Sequence, residues 1–202
     1  MRLKTLVIAA VIVGAGIGGT LGLPTPAAAR QSSENTFELD PVHSMVVFRI
    51  KHMGVAYVYG SFWEPTGSYS LDAHNTTNSF VKIELDASKV DTGNDRRNGH
   101  LRSPDFFNAK QYPKITFEST SITTGEGDGM EIKGNVTMVG QTKPVTARLR
   151  YIGEGDTPQG YKSGFEAEFV IKRSEWGMTK FLEHDSLGDE VSLFVTVEGL
   201  RK

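Results

Sequence analysis

The 202-residue chain sets 22 Lys and Arg against 24 Asp and Glu, a formal charge of −2, and has no cysteine. Scattered, balanced charge argues against a nucleic-acid partner. The missing thiols exclude a disulfide framework and a thioether lipid anchor, so stability has to come from a core.

Met1-Arg2-Leu3-Lys4 places two positive charges before an uncharged, mostly apolar run from Thr5 to Leu23, the layout of a secretory signal. Pro24, Pro26 and Ala27-Ala28-Ala29 follow, and small residues of this kind are what signal peptidase accepts, so cleavage is expected after Ala29. The alternative is an uncleaved membrane tether, because 19 residues can span a bilayer. Five glycines and the closing prolines weaken that alternative. Removal of 1–29 leaves 173 residues with a charge of −4, since Arg2 and Lys4 leave and no acid does. That product is expected to be exported, periplasmic or extracellular, and soluble, with no stable membrane span after processing. Residues 30–36 (RQSSENT) read as a disordered leader, and one domain is expected over 37–202, a length that supports a single core.

From Phe37 onward the pattern is period-two alternation, the mark of strands with one buried face. Runs at 44–53 and 56–63 come first. Val81, Ile83 and Leu85 then alternate with Lys82, Glu84 and Asp86. Between Ala87 and Pro113 the alternation stops; Thr92 or Asn94 can cap a short helix through Leu101, and Phe106-Phe107 and Tyr112 suggest a lid rather than a solvated spacer. A strand at 115–124 is followed by Gly125-Glu126-Gly127-Asp128-Gly129, a hairpin signal, and by Met130, Ile132, Gly134, Val136 and Met138 on one face. Val145, Ala147, Leu149 and Tyr151 form the next inward face, then Phe165, Ala167, Phe169 and Ile171, and finally Val191, Leu193, Val195 and Val197. A helical turn is expected after Arg173, around Trp176 and Phe181. About eight antiparallel strands is the size at which a sheet closes around its own side chains or one ligand.

Several stretches together resemble the YceI-like family. Asp40-Pro41-Val42-His43-Ser44 is similar to its D-x-x-H-S, Phe48 to Gly54 to F-x-V-x-H-x-G, and Val58 to Phe62 to V-x-G-x-F. His100 to Phe107 follows H-L-R-S-x-D-F-F, Tyr112 to Ser119 follows Y-P-x-I-x-F-x-S, Gly134 to Val145 follows G-x-L-T-x-x-G-x-T-K-x-V, and Ile171 to Met178 follows I-x-R-S-x-(F/W)-G-M. The resemblance runs in order across residues 37–200. It implies an all-β, closed, lipocalin-like antiparallel barrel with a short helical insertion near 87–113, an interior that takes a polyisoprenoid, and no general catalytic activity or cofactor. Two positions depart from the family pattern. Asn98 stands where an acid is common, which puts any ion pair of that acid in doubt, and Val136 stands for a leucine.

Inward apolar residues can fill a barrel or line a cavity. The small residues Gly60, Ser119, Gly134, Ala147 and Ala167 on inward positions favour a cavity. The expected ligand-contacting set is Phe48, Ile50, His52, Phe62, His100, Arg102, Phe106, Phe117, Ile132, Val136, Leu149 and Phe169. His52 shares a face with Val46, Phe48 and Ile50 and needs a partner; it reads as a bonded core histidine, a contact to a polar head, or a metal or acid/base group. His43 and His100 leave the same alternatives open. No metal site is expected, because histidines lack the i, i+4 spacing of a helical zinc site. Arg96, Arg97 and Arg102 could fork onto a pyrophosphate or quinone oxygen at the barrel mouth. Three functions follow: a carrier for a long isoprenoid of quinone or prenyl-phosphate type, an enzyme acting on such a lipid through His52 or His43, or a structural barrel presenting loops to a protein partner.

Overall fold

The computed structural model describes residues 35–72, 75–125, 129–183 and 186–202. The expected signal segment and most of the expected leader lie outside the described residues, as do Glu126 to Asp128 of the expected reversal. Thr36, the last leader residue, is tied into the domain by its carbonyl, which accepts from Lys202 N at 3.1 Å.

Eleven strands form one antiparallel sheet: β1 (Phe37–Leu39), β2 (Met45–His52), β3 (Ala56–Trp63), β4 (Thr66–Ser70), β5 (Phe80–Asp86), β6 (Val90–Asp91), β7 (Lys114–Thr124), β8 (Gly129–Met138), β9 (Gln141–Thr157), β10 (Gly160–Lys172) and β11 (Leu187–Arg201). The pairing order is β1-β4-β5-β7-β8-β9-β10-β11-β2-β3-β6, and β1 also pairs with β11, which closes the ring. Three pairs of strands act as single broken staves. β1 and β2 both run along β11; β3 and β4 pair with β2 and β1; β5 and β6 pair with β4 and β3. Counted this way the fold is an eight-stave meander in which each stave pairs with the next and the last with the first. The break between β3 and β4 falls at Glu64-Pro65, where Glu64 takes φ 57° and proline removes a ladder donor.

Alternation places the core inside the ring. In β8 the burial string alternates strictly from Met130 to Met138, and in β2 Val46, Phe48 and Ile50 are buried between more exposed neighbours. The hairpin joining β7 to β8 is closed by Gly125 N donating to Gly129 O at 2.8 Å. Helix α1 (Asp95–Leu101) follows β6, and Asn94 is its N-cap, its side-chain oxygen accepting from Arg97 N. The expected turn after Arg173 is a 3₁₀ turn, Arg173–Trp176, ended by Gly177 at φ 80°. Among the described residues no helix is long and apolar enough to cross a membrane.

The two ends of the barrel differ. One end is plugged by Phe37, Tyr69, Tyr161 and Phe165: Phe37 stacks on Tyr69 at 5.3 Å, and Tyr69 meets Phe165 edge-on at 4.9 Å. Arg201 lies 3.7 Å over the Tyr161 ring. The other end carries α1, the 102–112 segment and the turn after β10.

Candidate functional site

Three adjoining spaces that share wall residues follow one another along the barrel interior. The innermost, about 80 Å³, is lined by Val81, Ile83, Phe117, Ile132, Ala147, Leu149 and Phe165 among others. The next, about 110 Å³, is bounded by Phe48, Ile50, Phe62, Leu101, Phe106 and Met178, and shares Val46, Leu85, Ile115, Val136, Phe169 and Leu193 with the first. A mouth of about 930 Å³ shares Phe48, Ile50, Leu101, Phe106 and Leu187 with the second and adds His52, Arg96, Arg97, His100 and Phe181. The walls are almost wholly apolar inside and turn polar only at the mouth. A guest threaded from the mouth would meet carbon along its length and donors at one end.

Of the residues expected to contact a ligand, Phe117, Ile132 and Leu149 line the inner chamber, Phe48, Ile50, Phe62 and Phe106 the second, and Val136 and Phe169 both. His52 and His100 line the mouth. Arg102 does not join them: it is exposed, lines none of these spaces, and spends a guanidinium donor on Ser88 O at 3.1 Å. The arginines at the mouth are Arg96 and Arg97. Arg97 is committed to Thr92, donating to its hydroxyl at 2.7 Å and its carbonyl at 2.8 Å, whereas Arg96 has no side-chain partner among the described residues.

The small inward residues divide into two groups. A Cβ on Gly60 would meet the Phe48 ring at 2.2 Å, and one on Gly134 would meet the Phe117 ring at 2.5 Å. Both glycines are therefore covered by an aromatic ring from the neighbouring stave, and neither marks open lumen. Ser119 faces a backbone donor, accepting from Val81 N at 2.9 Å. Ala147 and Ala167 do border the inner chamber.

His52 makes no side-chain hydrogen bond among the described residues, so the bonded core histidine does not describe it. His100 is held: its Nε2 lies 2.8 Å from Asp105 Oδ2, and its ring meets Phe106 at 5.1 Å and Phe181 at 5.9 Å. The hydrogen bond to His100, aided by Lys180, lowers the Asp105 pKa. Asn98 is buried; its Oδ1 accepts from Thr92 N and Oγ1 while its amide donates to Asp91 Oδ1 at 2.9 Å. The acid expected from the family pattern could accept but not donate here, so asparagine suits a site that faces Asp91.

His43 belongs to a cluster on the outer wall. Its Nδ1 is 2.8 Å from Asp40 and 3.7 Å from Glu198, and the three offer oxygen and nitrogen atoms within 4.8 Å of one another. Lys162 already supplies a cation, 3.4 Å from Asp40 and 2.5 Å from Glu198. The hydrogen bond to His43 pulls the Asp40 carboxyl down to about 2.

Arg173 carries a role that residue-type reasoning missed. It is buried beside the second chamber, where its three nitrogens donate to the carbonyls of Gly188, Met178 and Leu187, and burial lowers its pKa. These bonds tie the 3₁₀ turn to β11 and so shape the mouth. The signal available was the arginine between Ile171 and Ser174, an inward register in a strand pattern.

Fold and channel together define a closed up-and-down β-barrel, plugged at one end and open at the other onto an apolar interior. Sequence comparison assigns it further. The YceI-like domain matches residues 37–199, and the chain belongs to the YceI-like family. A Pseudomonas aeruginosa UPF0312 protein is 41% identical over 161 residues, 79% of this chain and 83% of that one. Protein YceI of Salmonella arizonae is 38% identical over 172 residues, 85% and 88% of the two chains. Among solved structures, Burkholderia cenocepacia BcnA superposes with a TM-score of 0.69 at 23% identity, covering 79% of this chain and 98% of that one. A polyisoprenoid-binding domain from Saccharophagus degradans gives 0.61 at 14% identity, covering 82% and 98%, a likeness of fold.

Proposed function

We propose that this protein is an exported carrier that holds the tail of a long isoprenoid lipid, of quinone or prenyl-phosphate type, in the barrel and its head at the mouth. The observation that carries this is the column of adjoining apolar chambers from Ala147 and Leu149 to Phe106, backed by the aromatic plug and meeting polar side chains, His52, Arg96 and His100 among them, at the mouth. The tail-contacting residues are Phe48, Ile50, Phe62, Phe106, Phe117, Ile132, Val136, Leu149 and Phe169; the head-contacting ones are His52, His100 and Arg96. Each buried methylene contributes about 0.8 kcal/mol, so a long tail needs few polar contacts. The resting chambers, about 80 and 110 Å³, are smaller than such a tail, and loading requires the Phe48, Phe117 and Phe169 rings to turn aside. Membership of the family and the likeness to the polyisoprenoid-binding domain from Saccharophagus degradans support an isoprenoid guest. Among the described residues the column offers a binding site and no arrangement of nucleophile, base and orienting group, which favours carriage over turnover.

Export is read from the first 29 residues, and the mature chain should begin at Arg30 and fractionate as soluble protein. N-terminal sequencing checks this; intact Met1 in the membrane fraction contradicts it. For the ligand, protein purified from its own host and examined by native mass spectrometry should carry a mass that extracts as a prenyl lipid. Protein that yields no extractable lipid contradicts the reading.

A further inference from the structure

At the rim of the mouth, exposed apolar side chains coincide with strained backbone. At the tip of the β2–β3 hairpin Met53 is 63% exposed and Val55 84%, and across the opening Phe181 is 46% exposed. Met53 and Phe181 also hold φ of 49° and 62°, a region that non-glycine residues enter at a cost. The two segments are pinned in place, with Met53 N donating to Ser186 O at 3.1 Å and Leu187 N to Phe181 O at 3.0 Å. The backbone is thus held in an unfavourable conformation that presents apolar side chains to solvent, and both residues line the channel mouth.

Behind this tip lie rings suited to a lipid headgroup layer. Tyr57 and Tyr59 are each 52% exposed on the outer face of β3, and Lys51 is the register partner of Tyr57. At about 3.3 Å per residue Tyr57 stands roughly 7 Å below Val55 and Tyr59 roughly 13 Å. Apolar groups of interfacial proteins sit about 5–10 Å into the headgroup and acyl boundary, which would bring both tyrosines to the depth where such rings concentrate. Charged residues near the rim include Lys51, Arg96, Arg97 and Lys180 against Asp95, Asp105 and Glu183, so neither sign dominates among them. Apolar insertion, more than charge, would therefore drive contact.

We infer that the mouth is a membrane-docking surface: Met53, Val55 and Phe181 insert into a bilayer and bring the channel opening against the lipid it loads or unloads. This rests on the reading of the channel as a lipid site. The partner is a phospholipid surface, because these exposed residues flank the open end of the channel, the face among the described residues through which a lipid tail could pass between bilayer and channel.

The test is flotation of the mature chain with vesicles of phosphatidylethanolamine and phosphatidylglycerol, alongside uptake of a prenylquinone from detergent. Wild-type protein should float with the vesicles. Met53→Ser/Val55→Ser should lower the vesicle-bound fraction by about tenfold. Val55→Asp, which alters no channel-lining residue, should do the same and leave detergent uptake at the wild-type level. Ile152→Ser, at a residue 57% exposed near the plugged end, should change nothing. Wild-type protein that takes up prenylquinone but never floats overturns the docking and leaves the channel reading standing, as do tip variants that float like wild type. Protein that floats through its tip but takes up no prenylquinone supports the docking and sinks the channel reading.

Discussion

The plugged end and the mouth are made from the same residue types and put them to opposite uses. At the plug, Tyr69 is fully buried, stacked on Phe37, and its hydroxyl lies 2.7 Å from both the carbonyl and the hydroxyl oxygen of Ser163; burial pushes its pKa up to about 12. The buried Tyr69 hydroxyl is thus satisfied, while Arg201 Nε, buried over the Tyr161 ring, has no hydrogen-bond partner. At the mouth, Phe181 and Met53 are exposed on strained backbone, and His52 and Arg96 face the opening without side-chain partners among the described residues. Stability is concentrated at one end, and unspent binding capacity at the other.

Truncation should separate the two ends most strongly. Tyr69→Ala is expected to cost about 3–5 kcal/mol, the range for deleting a buried aromatic ring, while Phe181→Ala should stay within about 0.5 kcal/mol. Denaturant unfolding of both variants measures this. Similar losses at the two ends would mean that the mouth is packed as the plug is.

Next in size is the latch that holds α1 beside the mouth. Asn98→Asp exchanges a donor to Asp91 for a second carboxylate and should cost about 1–3 kcal/mol at neutral pH. The new carboxyl would have its folded-state pKa raised by Asp91, so it destabilises above that pKa and the loss should shrink as pH falls through it. Unfolding midpoints between pH 7 and pH 3 follow the trend; a penalty that grows in acid would exclude charge repulsion as its cause.

A smaller, oppositely signed effect belongs to Asp40, on the outer wall beside the plugged end. Its folded pKa of about 2 lies below the ordinary 3.8, so its ionised form stabilises the fold above about pH 4 and that contribution disappears as pH falls toward 2. For a solvent-facing cluster the amount should stay below about 1 kcal/mol. Asp40→Asn should be less stable than wild type at pH 6 and equal to it near pH 2.

The staves were legible because each buries one face: Val81, Ile83 and Leu85, or Met130 through Met138, announce their inward side by alternation alone. The short helix was legible from Asn94 and the loss of alternation after Ala87. What alternation could not convey is what crosses the lumen. Gly60 and Gly134 read as empty space, yet Phe48 and Phe117 lean over them from neighbouring staves, a relation set by register between strands distant in sequence. Arg102 read as a mouth residue because the family motif H-L-R-S covers it, but at the C-cap of α1 it reaches back to Ser88. A turn of helix was enough to send it elsewhere. The breaks within staves, at 40–44 and at Glu64-Pro65, escaped because a strand that bends keeps its period on either side.

The central claim is that the inner barrel is a site and the plug is a core. Ala147 borders the innermost chamber of about 80 Å³, and Ala147→Phe tests the claim directly when wild type and variant are both stripped of lipid and then offered a prenylquinone. Delipidation matters because bound ligand stabilises the folded state by mass action. The stripped variant should unfold within about 1 kcal/mol of stripped wild type, below the roughly 1–3 kcal/mol typical of overpacking a filled core, and should no longer take up the quinone. A variant that loses several times that stability, or one that loads the quinone as wild type does, would show that the interior of this barrel is not where the lipid goes.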